Sequence, residues 1–312
     1  MLLRKIARKI ALVVGAYLIF CIVAGFDIAE FALRPVRKTF NSVSGDEGAS
    51  HASDGDASLS EISITAKDGT ALYAWAFRPE DWNGNSVIVL HGLKDNRTGM
   101  LDYADIFLAH GYSVLIPDAR AHGESGGTVA SYGFLETDDI HRWLDWMITS
   151  QHPSCVYGFG ESMGAAQLLQ TLPTAPQFCA VAAECPFSTY RETAYDRMGQ
   201  PFHLGPWVGQ TILRPAVESA FLYARLRYGL NMEKISPEDA VAASKVPVLL
   251  IHGESDTNIP LRHSLRIVER RRDIVLWKIP NTGHSNAIDT APEELQTRLI
   301  SWFEQHGNSQ LH

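Results

Sequence analysis

The sequence predicts an α/β fold, a mostly parallel central sheet with helices on both faces. Three observations carry that expectation. Short apolar, strand-like runs alternate with amphipathic stretches from Val87 to Ile279. The alternation stops between residue 186 and about residue 240, where Pro201, Pro206 and Pro215 break an aromatic-rich stretch into short helical pieces, an inserted cap. Beyond residue 60 about 245 residues remain, enough for one large hydrophobic core.

Taken in order, the chain opens on a basic segment, residues 1–9, carrying Arg4, Lys5, Arg8 and Lys9. Seventeen uncharged residues follow, Ile10 to Phe26. As a helix they reach about 26 Å, close to the shortest length that crosses a bilayer. The basic flank predicts a membrane anchor with its N-terminus in the cytoplasm and the rest outside, although Arg34, Arg37 and Lys38 beyond the span weaken the bias. A cleaved signal peptide is the competing reading, with Val23-Ala24-Gly25 as a weak cleavage site. Cys21 lacks the small neighbours of a lipoprotein signal. Residues 27–60 read as a flexible linker, because Asn41 to Ser60 holds almost nothing large and apolar.

The folded domain is expected over residues 61–306, with a short tail at 307–312. It begins with alternating runs, Glu61 to Thr65 and Ala71 to Phe77, around the hairpin signal Asp68-Gly69. Strands are expected at Val87–Leu90, Tyr112–Pro117, Cys155–Phe159, Phe178–Ala183, Val248–Ile251 and Ile274–Ile279. Ile140, Trp143, Leu144 and Met147 mark one helix face. Ala165, Leu168, Leu169 and Leu172 mark another, ended by Pro173 and Pro176. Glu136, Asp138 and Asp139 open the first of these helices, where acidic residues favour the dipole, and are read as structural.

The chemistry concentrates at one pentapeptide, Gly160-Glu161-Ser162-Met163-Gly164, directly after the Cys155–Phe159 strand. A serine between glycines at a sharp strand-to-helix turn has its hydroxyl lifted clear of the backbone. The pattern alone arises by chance in roughly one chain in ten of this length, so its surroundings decide. A serine hydroxyl needs a base and an orienting carboxylate. Asp256 follows the Val248–Ile251 strand, and His284 follows the Ile274–Ile279 strand. Both lie past C-terminal strand ends, where open α/β sheets bind ligands. Glu254, two residues before Asp256, is its local rival. His91, His122 and His252, each followed by glycine or close to a strand, are read as loop histidines that bond backbone.

In motif content and order the chain resembles the α/β-hydrolase-fold serine hydrolases, over roughly residues 60 to 306. Besides the elbow, Asp256 and His284, the resemblance rests on His91-Gly92-Leu93-Lys94-Asp95-Asn96 after Val87–Leu90 and on Asp118-Ala119-Arg120-Ala121-His122-Gly123-Glu124-Ser125-Gly126-Gly127 after the next strand. The order Ser162, Asp256, His284 is that of the family. With the N-terminal anchor and the Pro186-Phe187-Ser188 segment leading to the cap, the chain is similar to a bacterial membrane-anchored branch.

The resemblance implies Ser162 as nucleophile, His284 as base and later acid, Asp256 as orienter of His284, and the backbone N–H groups of Leu93 and Met163 as the oxyanion hole. It implies a carboxylic ester or thioester substrate, with acyl transfer or peptide cleavage by the same triad, or a silent binding module, as alternatives. No cofactor and no metal is expected: the twelve histidines and four cysteines show no zinc spacing. A net charge of −8 argues against nucleic acid. Expected partners are a small ester substrate and the membrane. The apolar cap residues, among them Phe202, Trp207, Val208, Ile212, Leu213 and Phe221, line an acyl pocket or simply pack the cap. Arg191, Arg197, Arg225 and Arg227 read as solvated, with an anionic head group as the alternative. All four cysteines are expected as free thiols, since Cys179 and Cys185 lie too far apart along one strand to bond.

Overall fold

The computed structural model describes residues 2–38 and 57–307. The expected linker therefore falls mostly outside the described residues, as does all of the tail beyond Gly307. The described residues form two compact units, one of Pro35–Thr189 with Ser236–His312 and one of Met1–Arg34 with Tyr190–Ile235.

The larger unit is built on an eight-stranded sheet: β1 (Ala57–Thr65), β2 (Ala71–Pro79), β3 (Asn85–Leu90), β4 (Ser113–Pro117), β5 (Cys155–Glu161), β6 (Phe178–Glu184), β7 (Val248–Gly253) and β8 (Val275–Ile279). The spatial order is β1-β2-β4-β3-β5-β6-β7-β8. β1 and β2 pair antiparallel around the Asp68-Gly69 turn, and β2 joins β4 antiparallel. All remaining pairs are parallel. β1 starts at Ala57, ahead of the expected domain start, because its alternating side chains continue to pair with Phe77 to Pro79.

Helices cover both faces, as the run of fully apolar strands requires. On one face α2 (Leu101–Leu108) and the C-terminal helix Pro292–His306 bring Phe107, Leu299 and Phe303 against Val87, Tyr157 and Phe159. On the other, α3 (Glu136–Gln151) and α4 (Ser162–Thr171) bring Trp143, Leu144 and Leu168 against Ile88, Leu115 and Val181. Glu136 accepts from Ser131 N (2.7 Å) and Gly133 N (2.7 Å), and Asp139 takes both arms of buried Arg120 at 2.7 Å. The acidic start of α3 is thus structural.

One cysteine expectation is corrected. Cys155 and Cys179 form a disulfide, with Cα atoms 5.7 Å apart, while Cys21 and Cys185 are free and buried. The β5–β6 crossover brings residues 24 apart in sequence side by side. The register jumps there: Val156 faces Phe178 but Tyr157 faces Ala180, so Cys179 sits in a bulge beside Cys155. A comparison confined to Cys179 and Cys185 misses this pair.

The smaller unit joins α1 (Leu2–Leu33) to the cap helices α5 (Tyr190–Gly199), α6 (the single turn Trp207–Gln210) and α7 (Arg214–Tyr228). α1 is long and apolar enough to cross a membrane, and it runs seven residues beyond the apolar stretch ending at Phe26. Its buried residues Cys21, Gly25, Ala29 and Leu33 recur every fourth position, and α7 answers with Ala216, Ala220 and Ala224. Gly25 is required: a Cβ there would lie 2.6 Å from Ser219 Cβ and 2.7 Å from Ala216 O. Arg191 is not solvated as expected, since it pairs with Glu218 and, at 2.6 Å, with Glu233.

Candidate active site

The elbow is built by close packing. Ser162 is the first residue of α4 and has φ +50°, the left-handed region an L-residue adopts only when its surroundings force it. The flanking glycines permit the close packing around it. A Cβ on Gly160 would meet Gly164 C at 2.7 Å, and one on Gly164 would meet Leu90 O at 2.4 Å and His91 O at 2.7 Å. The same contact seats the end of β3, and the loop after it, against the start of α4.

The C-terminal strand ends bring three predicted residues together. His284 Nε2 lies 2.8 Å from Ser162 Oγ, and His284 Nδ1 lies 2.7 Å from Asp256 Oδ2. The other Asp256 oxygen accepts from Asn258 N (2.8 Å) and Ile259 N (2.9 Å). Burial opposes ionisation of Asp256, but the hydrogen bond and charge of His284, with Ile259 N–H, outweigh it and hold its pKa below the ordinary aspartate value. Glu254 faces elsewhere, toward Lys278 at 3.6 Å. Of the two carboxylates, Asp256 is the one bonded to His284.

Leu93 sits half-buried three residues past β3, and Met163 is the buried second residue of α4, where the N–H has no partner inside the helix. The loop carrying Leu93 is braced by histidines. His91 Nε2 accepts from Ala119 N at 3.0 Å, so its Nδ1–H donates to Gly92 O at 2.7 Å. His122 bonds Arg120 O and meets the His91 ring edge-on at 5.2 Å. Burial, reinforced by neighbouring His91, lowers the His122 pKa to about 4, so that ring stays neutral. His252 bonds Ser264 Oγ at 2.7 Å and Ile259 O at 2.8 Å. Together with Cys185 and Asp256 it makes a compact buried group of metal-type ligands, but the hydrogen bonds of His252 and Asp256 already engage their ring nitrogens and oxygens.

Three residues beside this site escape the sequence reading. Glu161, the variable position before Ser162, accepts from Gly92 N–H, and its register partner on β6 is Glu184. Burial first, then Glu184 and Asp95, push the Glu161 pKa up to about 8. Glu184 is held by Tyr103 OH (2.8 Å) and Ala287 N (3.0 Å), and burial raises its pKa as well. The third is Arg37, read from sequence only as a topology charge. Its guanidinium donates to Gly123 O (2.9 Å), Ser125 O (2.5 Å) and Gly127 O (3.2 Å), fastening residues 35–38 to the Asp118–Gly127 loop. A glutamate at each of two adjacent strand ends was a legible signal for the first two; nothing local marks Arg37.

A family model described as "Alpha/beta hydrolase family" matches residues 87–296, two thirds of the chain. The chain belongs to the alpha/beta hydrolase family. Among curated proteins this α/β hydrolase is 29% identical to the uncharacterized protein YqkD of Bacillus subtilis (strain 168), over 96% of this chain and 98% of that one. It is 28% identical to the lysophosphatidylserine lipase ABHD12 of Macaca fascicularis, over 56% of this chain and 42% of that one. Among solved structures, the Pyrococcus furiosus esterase Pf2001 superposes with a TM-score of 0.69 at 22% identity, covering 88% of this hydrolase and all of the esterase. That likeness establishes the fold.

Proposed function

We propose that the protein is a membrane-tethered serine hydrolase that cleaves carboxylic esters or thioesters through an acyl-enzyme on Ser162. The observation that supports this most is the unbroken hydrogen-bond chain Asp256–His284–Ser162 at 2.7 and 2.8 Å. His284 Nε2 takes the Ser162 proton as Oγ attacks the ester carbonyl. Asp256, kept ionised, fixes the Nδ1–H tautomer and stabilises the imidazolium that forms. The N–H groups of Leu93 and Met163 receive the oxyanion, and His284 returns the proton to the leaving group. Water, activated by the same imidazole, then releases the acid. The lipase activity named for the ABHD12 relative agrees with an ester substrate.

Tethering rests on α1, which has the length and apolarity for a span and a basic N-terminal flank. The flank supports a larger unit outside the cytoplasm. The Cys155–Cys179 disulfide favours the same oxidising side.

The test is fluorophosphonate labelling of the full chain in detergent, with Ser162→Ala alongside. The expected outcome is labelling and ester turnover by the wild type, with both lost in a variant of unchanged melting temperature. Equal labelling of the two proteins would reject Ser162 as the nucleophile.

A further inference from the structure

The helical unit presents an unusual stretch. Gly199 to Leu213 contains no Asp, Glu, Lys or Arg and is bracketed by Arg197 and Arg214. Within it Leu204, Trp207 and Ile212 are 55%, 56% and 53% exposed. Its backbone is largely satisfied internally: Leu204 N bonds Gly199 O, Gln210 N bonds Pro206 O, Thr211 N bonds Trp207 O and Leu213 N bonds Val208 O. Leu204, Trp207 and Ile212 thus point outward, beside exposed but uncharged His203, Gln210 and Thr211, while backbone groups close inward, an arrangement that suits hydrocarbon better than water.

The pairing of α1 with α7 says where this tip lies relative to α1. The helices run parallel. Tyr17 OH donates to Ile212 O, Gly25 packs on Ala216, Ser219 and Ala220, and the rings of Phe26 and Tyr223 lie 4.8 Å apart. At the far end Tyr223 OH (2.6 Å) and Tyr228 OH (2.5 Å) donate to Glu30, and Arg34 donates to Tyr228 at 3.2 Å. Tyr17 precedes Asp27, the first charge after the apolar stretch, by ten residues. That is about 15 Å of helix, half of a hydrocarbon core about 30 Å thick. Ile212, bonded at the level of Tyr17, is carried to the same depth.

We propose that the cap tip, Gly199–Leu213, is a lipid-inserted element, buried among the acyl chains of the bilayer that α1 crosses. The proposal rests on the tethering reading above. The contact between the helices fits it: small residues at every fourth position, Cys21-Gly25-Ala29 against Ala216-Ala220-Ala224, let backbones approach where the hydrophobic effect does not drive association. So does the far end, where Tyr223, Tyr228, Arg34 and the exposed Arg225 and Arg227 form an aromatic and basic belt suited to headgroups.

Trp207 is the one tryptophan of seven within the helical unit, which makes it a built-in reporter. The full chain is reconstituted into phosphatidylcholine–phosphatidylglycerol vesicles, with plain or brominated acyl chains, beside Trp207→Phe. The expected result is a wild-type-minus-variant emission that bromolipid abolishes and aqueous iodide leaves intact. A difference emission quenched by iodide and untouched by bromolipid, from protein that still floats with carbonate-washed vesicles, overturns the insertion and spares the anchor. Protein that does not float overturns the anchor and the insertion with it. Should Trp207→Phe fail to fold, Leu204→Trp supplies the second reading: an added emission, again quenched by bromolipid and not by iodide.

Discussion

In the sheet unit the largest side chains, Trp75, Trp143, Phe107 and Phe303, are sealed from solvent, while in the helical unit Leu226, Trp207, Leu222 and Ile212 face outward and alanines and a glycine fill the contact. The sheet unit also buries charge: Arg97, Asp118, Arg120, Glu184 and Asp256 are all at most 5% exposed, each with a named partner. The difference agrees with the proposal that the sheet unit meets water and the helical unit meets lipid. Water expels large apolar groups and forgives few buried charges, so the sheet unit hides the first and pairs the second. The helical unit buries Leu33, Phe221 and Met232 as well, but leaves Trp207, Ile212, Leu222 and Leu226 exposed.

The largest test of the sheet unit's side of this contrast is its most consequential buried charge. Asp256→Asn keeps the shape but offers His284 an amide, which favours the wrong tautomer. Turnover should fall by up to about 10⁴, the loss seen for the corresponding change in a serine protease. Glu254→Gln, at a half-exposed position on Lys278, should leave kcat nearly unchanged. Ester kinetics on both variants decides, and a crippled Glu254 variant would transfer the orienting role.

Packing comes next. Trp143→Ala should cost about 3–5 kcal/mol, because it empties a site sealed between α3 and the sheet. Leu226→Ala, 77% exposed, should stay within about 0.5 kcal/mol in detergent. Gly25→Leu sharpens the comparison from the other side. Added apolar surface would help a water-driven contact, but here the new Cβ overlaps Ser219 and Ala216. The expected outcome is loss of the α1–α7 contact, read as faster proteolysis of the cap, with the sheet unit's melting unchanged. Breaking the Cys155–Cys179 bond by Cys→Ser at both positions should destabilise the sheet unit by about 3 kcal/mol, as closure of a 24-residue span implies.

The legible parts of this molecule follow the same division. The strands from β3 onward announced themselves because a parallel sheet covered on both faces must be apolar along its length. Ser162, Asp256 and His284 were legible because each follows such a strand, Ser162 at the head of α4 and the other two in loops. The helix after Arg97 was not: Leu101–Leu108 is short and mixes its core residues with Asp102 and Asp105. The disulfide depends on a bulge, and a bulge leaves no mark in composition. The α1–α7 contact was hidden for a related reason. Small residues at every fourth position say that two backbones meet, but not which two, and a sequence of separate hydrophobic stripes cannot name the partner.

The smallest effect lies where the sheet unit strains its own rule. Glu161 and Glu184 are like charges side by side at adjacent strand ends, with Asp95 nearby and Tyr103 OH on Glu184. Burial and these neighbours raise the Glu161 pKa from 4.5 to about 8. The folded chain therefore keeps a proton between those values that the unfolded chain has released. Stability must then fall as pH rises through that window, the reverse of an ion-paired carboxylate such as Asp68. Glu161→Gln keeps an acceptor for Gly92 N–H and removes the titration. Its melting temperature should match the wild type near pH 5 and exceed it near pH 9 by more than about 1 kcal/mol, roughly 2–4 °C. Alkaline loss of ester turnover should ease in the same variant, because an anion beside the elbow opposes the oxyanion forming there. Parallel melting curves across the range would mean that the Glu161–Glu184 pair reaches water and is screened by it.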